Sequence, residues 1–324
     1  ENKMTETMYV VIPCYNEEQM LPITAKALIK KLDELKAEGR IAQNSKVMFV
    51  DDGSKDGTWE LIKQLGETDE HIRGLHFSRN FGKEGAVFAG LKAADGDCVA
   101  VIDCDLQHPP ELLEKMYAAW KNGAEVVEAV KASRGKEGII YKLFAKTFYR
   151  MMKNSSAIDL DGASDYKLMD RKVVNALNEM PERLTFFRAL SSWVGFRTER
   201  VEFDVAPRNA GKTKWSFRKL FRYAISSITS FTNVPMQIIT WSGVLFFIFA
   251  VILAIQTLVN FCTGKAADGF STVILLLLII GSILMLGIGI MGYYLSKIYE
   301  EIKQRPRYIV SEESGRRQRC EDNK

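Results

Sequence analysis

The sequence predicts an α/β domain built on a mostly parallel, doubly wound sheet, followed by two membrane-crossing helices. Three observations predict it. Short apolar runs alternate with amphipathic helical stretches through the first half of the chain. Polar residues gather directly after those runs. Two long runs near the C-terminus carry no charge. A length of 324 residues with 47% hydrophobic content allows one substantial domain plus a further segment.

The alternation runs as follows. MYVVI (8–12) precedes a helical stretch from about Glu18 to Glu38, and KVMFV (46–50) precedes a helix starting near Thr58. IRGLHF (72–77) precedes GKEGAVFAGLKAA, CVAVI (98–102) precedes PELLEKMYAAW, and EVVEA (125–129) closes the series. Strands separated by amphipathic helices form a parallel sheet covered on both faces. Ligands of such sheets bind outside the carboxyl ends of the strands.

Met236–Phe261 and Val273–Leu295 each exceed the roughly 20 apolar residues needed to cross a bilayer. A pair of buried core helices is disfavoured, because a globular core rarely needs two such runs in succession. Arg218, Lys219 and Arg222 precede the runs, and Lys297, Lys303, Arg305 and Arg307 follow them. Positive charge collects on the cytoplasmic side, so both termini and the N-terminal domain are expected in the cytoplasm of an integral, two-span protein. Gly281, Gly287, Gly289 and Gly292 would allow close helix packing. No signal segment is expected, since a strand pattern begins almost at once. The net charge of +4 gives no reason to expect a nucleic-acid partner. Cys14, Cys98, Cys104, Cys262 and Cys320 are an odd number without zinc-site spacing and read as reduced thiols.

Four strand ends carry polar clusters: PCYNEE, DDGSKDGT, SRNFGKEGA and DCDLQHPP. From Asp52 the second imitates a calcium loop, but its twelfth position is Lys63 where a bidentate Glu is needed. Asp56 reads as a helix cap, which leaves Asp51 and Asp52 at the strand tip unexplained. In DCDLQ, Asp103 and Asp105 on an extended segment can both reach one cation, and Gln107 adds a neutral oxygen. Hard oxygen ligands favour Mg²⁺ or Mn²⁺, and so few of them leave room for substrate phosphates. His108 reads as a supporting or helix-start residue, and His71 and His76 carry no signal.

These motifs, in this order and followed by two spans, resemble the family 2 glycosyltransferases of GT-A fold. The polyisoprenyl-phosphate glycosyltransferases, including dolichol-phosphate mannose synthases and bacterial GtrB-type glucosyltransferases, are the most similar subgroup. The resemblance implies that Pro13, Tyr15 and Glu17 line the base and ribose pocket, with Asp52 on the base and Val50 beside it. It implies that Asp103 and Asp105 face metal and diphosphate, with Gln107 as a further ligand and backbone near Cys104 touching the nucleotide-sugar. Lys131, Arg134 and Lys136 would meet an acceptor phosphate, although Lys131 stands where arginine is common. Arg208 and Lys214 match a mobile cationic loop closing on the donor, with Lys212 assisting. Asp165, in SDYKL, matches an acid of the family; Ser164 and Lys167 depart from its pattern. Asp165, like Asp159 and Asp161, is open to the role of base, orienting group or structural residue, since a phosphate acceptor attacks without one.

The implied layout is a catalytic domain over 1–214, an amphipathic juxtamembrane helix over 215–234, two spans within 235–296 and a basic tail over 297–324. The implied reaction is inverting transfer, with UDP-glucose as the expected donor and undecaprenyl or dolichyl phosphate as acceptor. Its product is a β-linked polyprenyl-phosphate sugar. The resemblance implies a homo-oligomer, since GtrB-type relatives form tetramers, and leaves the number of subunits open. Two other readings stay open: a polysaccharide synthase, against which the missing Gln-x-x-Arg-Trp motif speaks, and a non-catalytic nucleotide-sugar-binding membrane protein.

Overall fold

Strand β1 (Met8–Cys14) lies between β2 (Lys46–Asp51) and β4 (Cys98–Val101), parallel to both, in the computed structural model of the chain. Its near-continuous burial explains why MYVVI is apolar at every position rather than alternating. β3 (Ile72–Phe77) extends the parallel series beyond β2. The structure describes residues 5–131, 164–182, 186–203, 234–263 and 269–315.

These residues fall into two compact units: those up to 203 together with 305–315, and those between 234 and 304. In the first, helix α1 (Leu21–Ala37) starts with Pro22 in its first turn, where a missing N–H costs nothing. It buries Leu21, Ala25, Leu28, Leu32 and Leu35, a stripe at helical spacing. Helices α2 (Thr58–Thr68), α3 (Lys83–Ala93) and α4 (Leu112–Lys121) occupy the predicted crossovers. Gly90 of α3 lies so close to β1 that a Cβ there would stand 2.2 Å from Val11 Cγ1, so only glycine lets this helix settle on the strand.

The sheet is mixed rather than wholly parallel. β5 (Val126–Lys131) pairs antiparallel with β6 (Lys167–Asp170) and parallel with β7 (Thr198–Phe203). β6 also pairs antiparallel with β4. β8 (Val310–Ser314) pairs antiparallel with β3. The order is β7-β5-β6-β4-β1-β2-β3-β8. Helix α5 (Arg171–Glu179) is capped by Asp170, whose side chain accepts from Lys172 N at 3.0 Å. The short helix α6 (Phe187–Trp193) follows it. β8 lies within the stretch read from sequence as a basic tail. Around it Arg307 lies over the Phe88 ring, Tyr308 stacks on Phe77, and Trp59 Nε1 donates to Glu312 at 2.8 Å.

The second unit holds α7 (Val234–Cys262) and α8 (Phe270–Ile302), both long and apolar enough to cross a membrane. Their apolar side chains face outward: Trp241 is 71% and Met285 74% exposed. A core helix buries such groups, so this exposure suits lipid. The expected amphipathic helix over 215–234 lies, but for its last residue, outside the described residues.

Gly53 follows β2 at φ +63, and a Cβ there would stand 2.4 Å from the Arg79 carbonyl carbon. Gly53→Ala is therefore expected to cost about 1–3 kcal/mol through strain and forced loop movement. A fall in unfolding midpoint, measured by tryptophan fluorescence, checks this.

Candidate active site

The parallel register brings four strand tips to one edge, with Cys14 of β1 level with Asp51 of β2. Hydrogen bonds lace the first two loops together. Asn16 N donates to Ser54 Oγ at 2.9 Å, Lys55 N to Asn16 Oδ1 at 2.9 Å, and Glu17 N to Thr58 Oγ1 at 3.0 Å. Asn16 holds φ 54, a left-handed conformation that asparagine tolerates better than most residues. Asp56 accepts from Thr58 N at 3.1 Å, but the cap position of α2 is Gly57, one residue after the Asp56 expected there.

Asp51 and Asp52, side by side in sequence, do different work. Asp51 is fully buried; its Oδ2 lies 2.6 Å from His76 Nδ1, and its Oδ1 accepts from Ser54 N at 3.1 Å. The His76 ring stacks on Trp59 at 5.0 Å. His76 therefore has a clear structural role, for which the sequence carried no signal. Asp52 Oδ1 accepts from Phe81 N at 2.6 Å, and Oδ2 from Gly82 N at 2.9 Å, so it fixes the loop after β3. Burial pushes its carboxyl up, those N–H groups pull it down, and Asp51 adds to the rise; the net shift is upward. Tyr15 is exposed at the edge, whereas Val50 is fully buried.

After β4 the chain turns at Leu106, whose φ of 53 is unusual for a bulky residue. This turn sets Asp105 and Gln107 together: Gln107 N donates to Asp105 Oδ1 at 3.1 Å. Cys104 is buried, and its carbonyl accepts from Thr24 Oγ1 at 2.6 Å. Cys14 is buried too, and burial with the neighbouring Cys104 pushes its thiol well up, so it packs rather than reacts. His108 is buried between the rings of Tyr166 and Phe203, each 5.3 Å away, in the supporting position expected of it.

Asp103 points to a contact that sequence reading missed. Lys83 Nζ, from the start of α3, lies 2.6 Å from Asp103 Oδ1 and 2.8 Å from Asp165 Oδ2. The other Asp165 oxygen takes Arg188 of α6, with Nη2 at 3.0 Å and Nε at 3.1 Å. Burial disfavours the Lys83 charge, but the two carboxylates outweigh it and hold its pKa above the ordinary lysine value. Burial likewise acts against the Asp165 charge, and Lys83 and Arg188 overcome it, holding that carboxyl well below the usual carboxylate range. Glu84, which accepts from Phe187 N at 2.8 Å, is pushed up to about 7 by burial and by Asp165.

Lys131 is the last residue of β5, opposite Phe203. Arg134, Lys136, Asp159, Asp161, Arg208, Lys212 and Lys214 lie outside the described residues. Residues 9–177 match the family described as Glycosyl transferase family 2. The chain belongs to that family. It is a glycosyltransferase whose first unit is built on a mixed, mostly parallel sheet. It is 36% identical over 311 residues to an uncharacterized glycosyltransferase, sll0501, of Synechocystis, covering 95% of this chain and 96% of that one. It is 36% identical to the uncharacterized glycosyltransferase YkcC of Bacillus subtilis, covering 94% of each. It is 37% identical to a prophage bactoprenol glucosyl transferase homolog of Escherichia coli, covering 93% of this chain and 97% of the relative. In this family 2 glycosyltransferase the matched region spans all four strand-tip motifs and Asp165, but ends before Arg188.

Proposed function

We propose that this glycosyltransferase moves a sugar, with UDP-glucose as the expected donor, onto a polyprenyl phosphate at the cytoplasmic membrane face. Near-full-length similarity to a chain named for bactoprenol glucosyl transfer carries this reading, because it takes in the strand-tip site and both apolar helices. Asp165 adds support. Two cations engage both of its oxygens, so it is badly placed to take a proton. A hydroxyl acceptor needs such a base; a lipid phosphate arrives already ionised.

Pro13, Tyr15, Glu17, Val50 and Asp52 are assigned to the nucleoside side, with Cys104 backbone, Arg208 and Lys214 toward the donor. Lys131, Arg134, Lys136 and Lys212 are assigned to the acceptor phosphate. Asp103 and Asp105, with Gln107, offer hard oxygens suited to Mg²⁺ or Mn²⁺. Among the described residues no three His, Cys, Asp or Glu side chains converge on one metal position, so diphosphate and water would supply the remaining ligands. A divalent ion held there would supply positive charge to offset that growing on the departing diphosphate. An acceptor phosphate oxygen bonds to the anomeric carbon as the bond to UDP breaks on the opposite face, which inverts the linkage to β. The chain's own contribution is to orient both anions and neutralise them.

The layout proposed is the one given above, with two spans and both termini cytoplasmic. A homo-oligomer is the assembly proposed, and a Cβ at Gly281, Gly289 or Gly292 of α8 would meet nothing within 4 Å, which leaves room for another helix. Membranes holding the full chain, given radiolabelled UDP-glucose, polyprenyl phosphate and Mn²⁺, are expected to yield label in the organic extract. Label in polymer would favour a synthase, and binding without transfer a sensor.

A further inference from the structure

Lys83 is one cation shared by two carboxylates that come from different strands. Asp103 follows β4, and Asp165 lies just before β6. Its ammonium is 2.6 Å from one and 2.8 Å from the other, within charge-assisted hydrogen-bond range of both. Asp165 has a second cation, Arg188, at 3.0 Å. Asp103 has Lys83 as its ion-pair partner among the described residues. The two halves of the bridge are therefore unequal: Asp165 keeps Arg188 if Lys83 shifts, while Asp103 loses the ion-pair partner it has among the described residues.

We propose that Lys83 is a resident counter-cation that holds Asp103 closed and is displaced from it when a divalent ion binds, remaining on Asp165. This rests on the reading of Asp103 as a metal ligand. An ammonium and a divalent ion compete for the same Asp103 oxygen, so the ammonium lowers metal affinity in the empty enzyme. A donor diphosphate brings new negative charge and tips that competition. The site is thereby kept neutralised without donor, and metal and diphosphate favour each other's binding, as linkage requires. Lys83 is a positioning residue here, acting through Asp103 and Asp165.

The test is Mn²⁺ binding to the full-length protein in detergent without nucleotide, read as free-ion signal by electron paramagnetic resonance. Lys83→Met is expected to bind Mn²⁺ about tenfold more tightly, because an ionic hydrogen bond no longer has to be broken. Lys83→Arg, which keeps a cation, is expected to stay near wild type. Asp165→Asn leaves Lys83 to Asp103 alone and is expected to weaken binding, and this effect should largely vanish in the Lys83→Met background. Unchanged or weaker binding in Lys83→Met, with binding that Asp103→Asn still lowers, overturns the inference and leaves the metal reading intact. Binding that ignores Asp103 in every variant overturns both.

Discussion

Replacing Asp105 by alanine is expected to lower glycosyl transfer by about a thousandfold while the protein folds normally. The scale follows from the reading of Asp105 as a metal ligand. Charge stabilisation by a bound ion is worth several kcal/mol in a transition state, and each ~1.4 kcal/mol is tenfold in rate. Folding should survive because the side-chain bond described for Asp105 is local, from Gln107 N at 3.1 Å. Asp103→Asn is a less clean change, since it also strips Lys83 of a partner at 2.6 Å. Radiolabel transfer over a Mn²⁺ series, beside far-ultraviolet circular dichroism, separates lost chemistry from lost structure. An Asp105→Ala protein that turns over without metal would remove Asp105 from the site and leave its placement beside Gln107 without a catalytic purpose.

The parts of the fold that the sequence discloses are those where side-chain pattern and backbone state have one cause. KVMFV and IRGLHF lie in β2 and β3, and the former is apolar because both sheet faces are covered. β8 offers no such pattern. Its residues VSEES are mostly exposed, and its strand state comes from the open hydrogen-bonding edge of β3. β6 is four residues long and sits between β4 and β5, so it too is dictated by its neighbours. The site divides in the same way. Asp103, Asp105 and the DDG turn are visible because a charge after an apolar strand has few explanations. The bridge through Lys83 is not, since it joins residues 82 apart, and Arg188 stands a further 23 from Asp165. Nothing in the local spacing of a lysine foretells which carboxylate it meets. Asp51, which the sequence alone leaves unexplained, finds its role only in the fold. It stands beside Asp52 at a strand tip, yet its buried carboxylate serves His76 and Ser54.

The second large effect lies below the site, in the buried ion pair of Lys167. Glu128 of β5 and Lys167 of β6 are register partners, 2.8 Å apart, with side chains 3% and 1% exposed. Arg200 Nε reaches the other Glu128 oxygen at 3.5 Å from a more exposed position. Glu128→Ala should cost about 3–5 kcal/mol, because it strands a buried ammonium. The loss should depend on pH in a set direction. Burial lowers the Lys167 pKa in the folded protein and Glu128 opposes that, so the variant lowers it further. Between the folded and unfolded pKa values the unfolded chain holds more protons, so stability rises with pH there. The deficit of Glu128→Ala against wild type should therefore shrink as pH goes from 7 toward 10. Replacing both partners, Glu128→Leu with Lys167→Met, should recover most of the loss, since an apolar pair of similar volume needs no charge buried. Denaturant midpoints of wild type, Glu128→Ala and the double variant at two pH values decide the matter. If the double variant were as weak as the single one, the strand contact would owe its stability to packing around Glu128 rather than to charge.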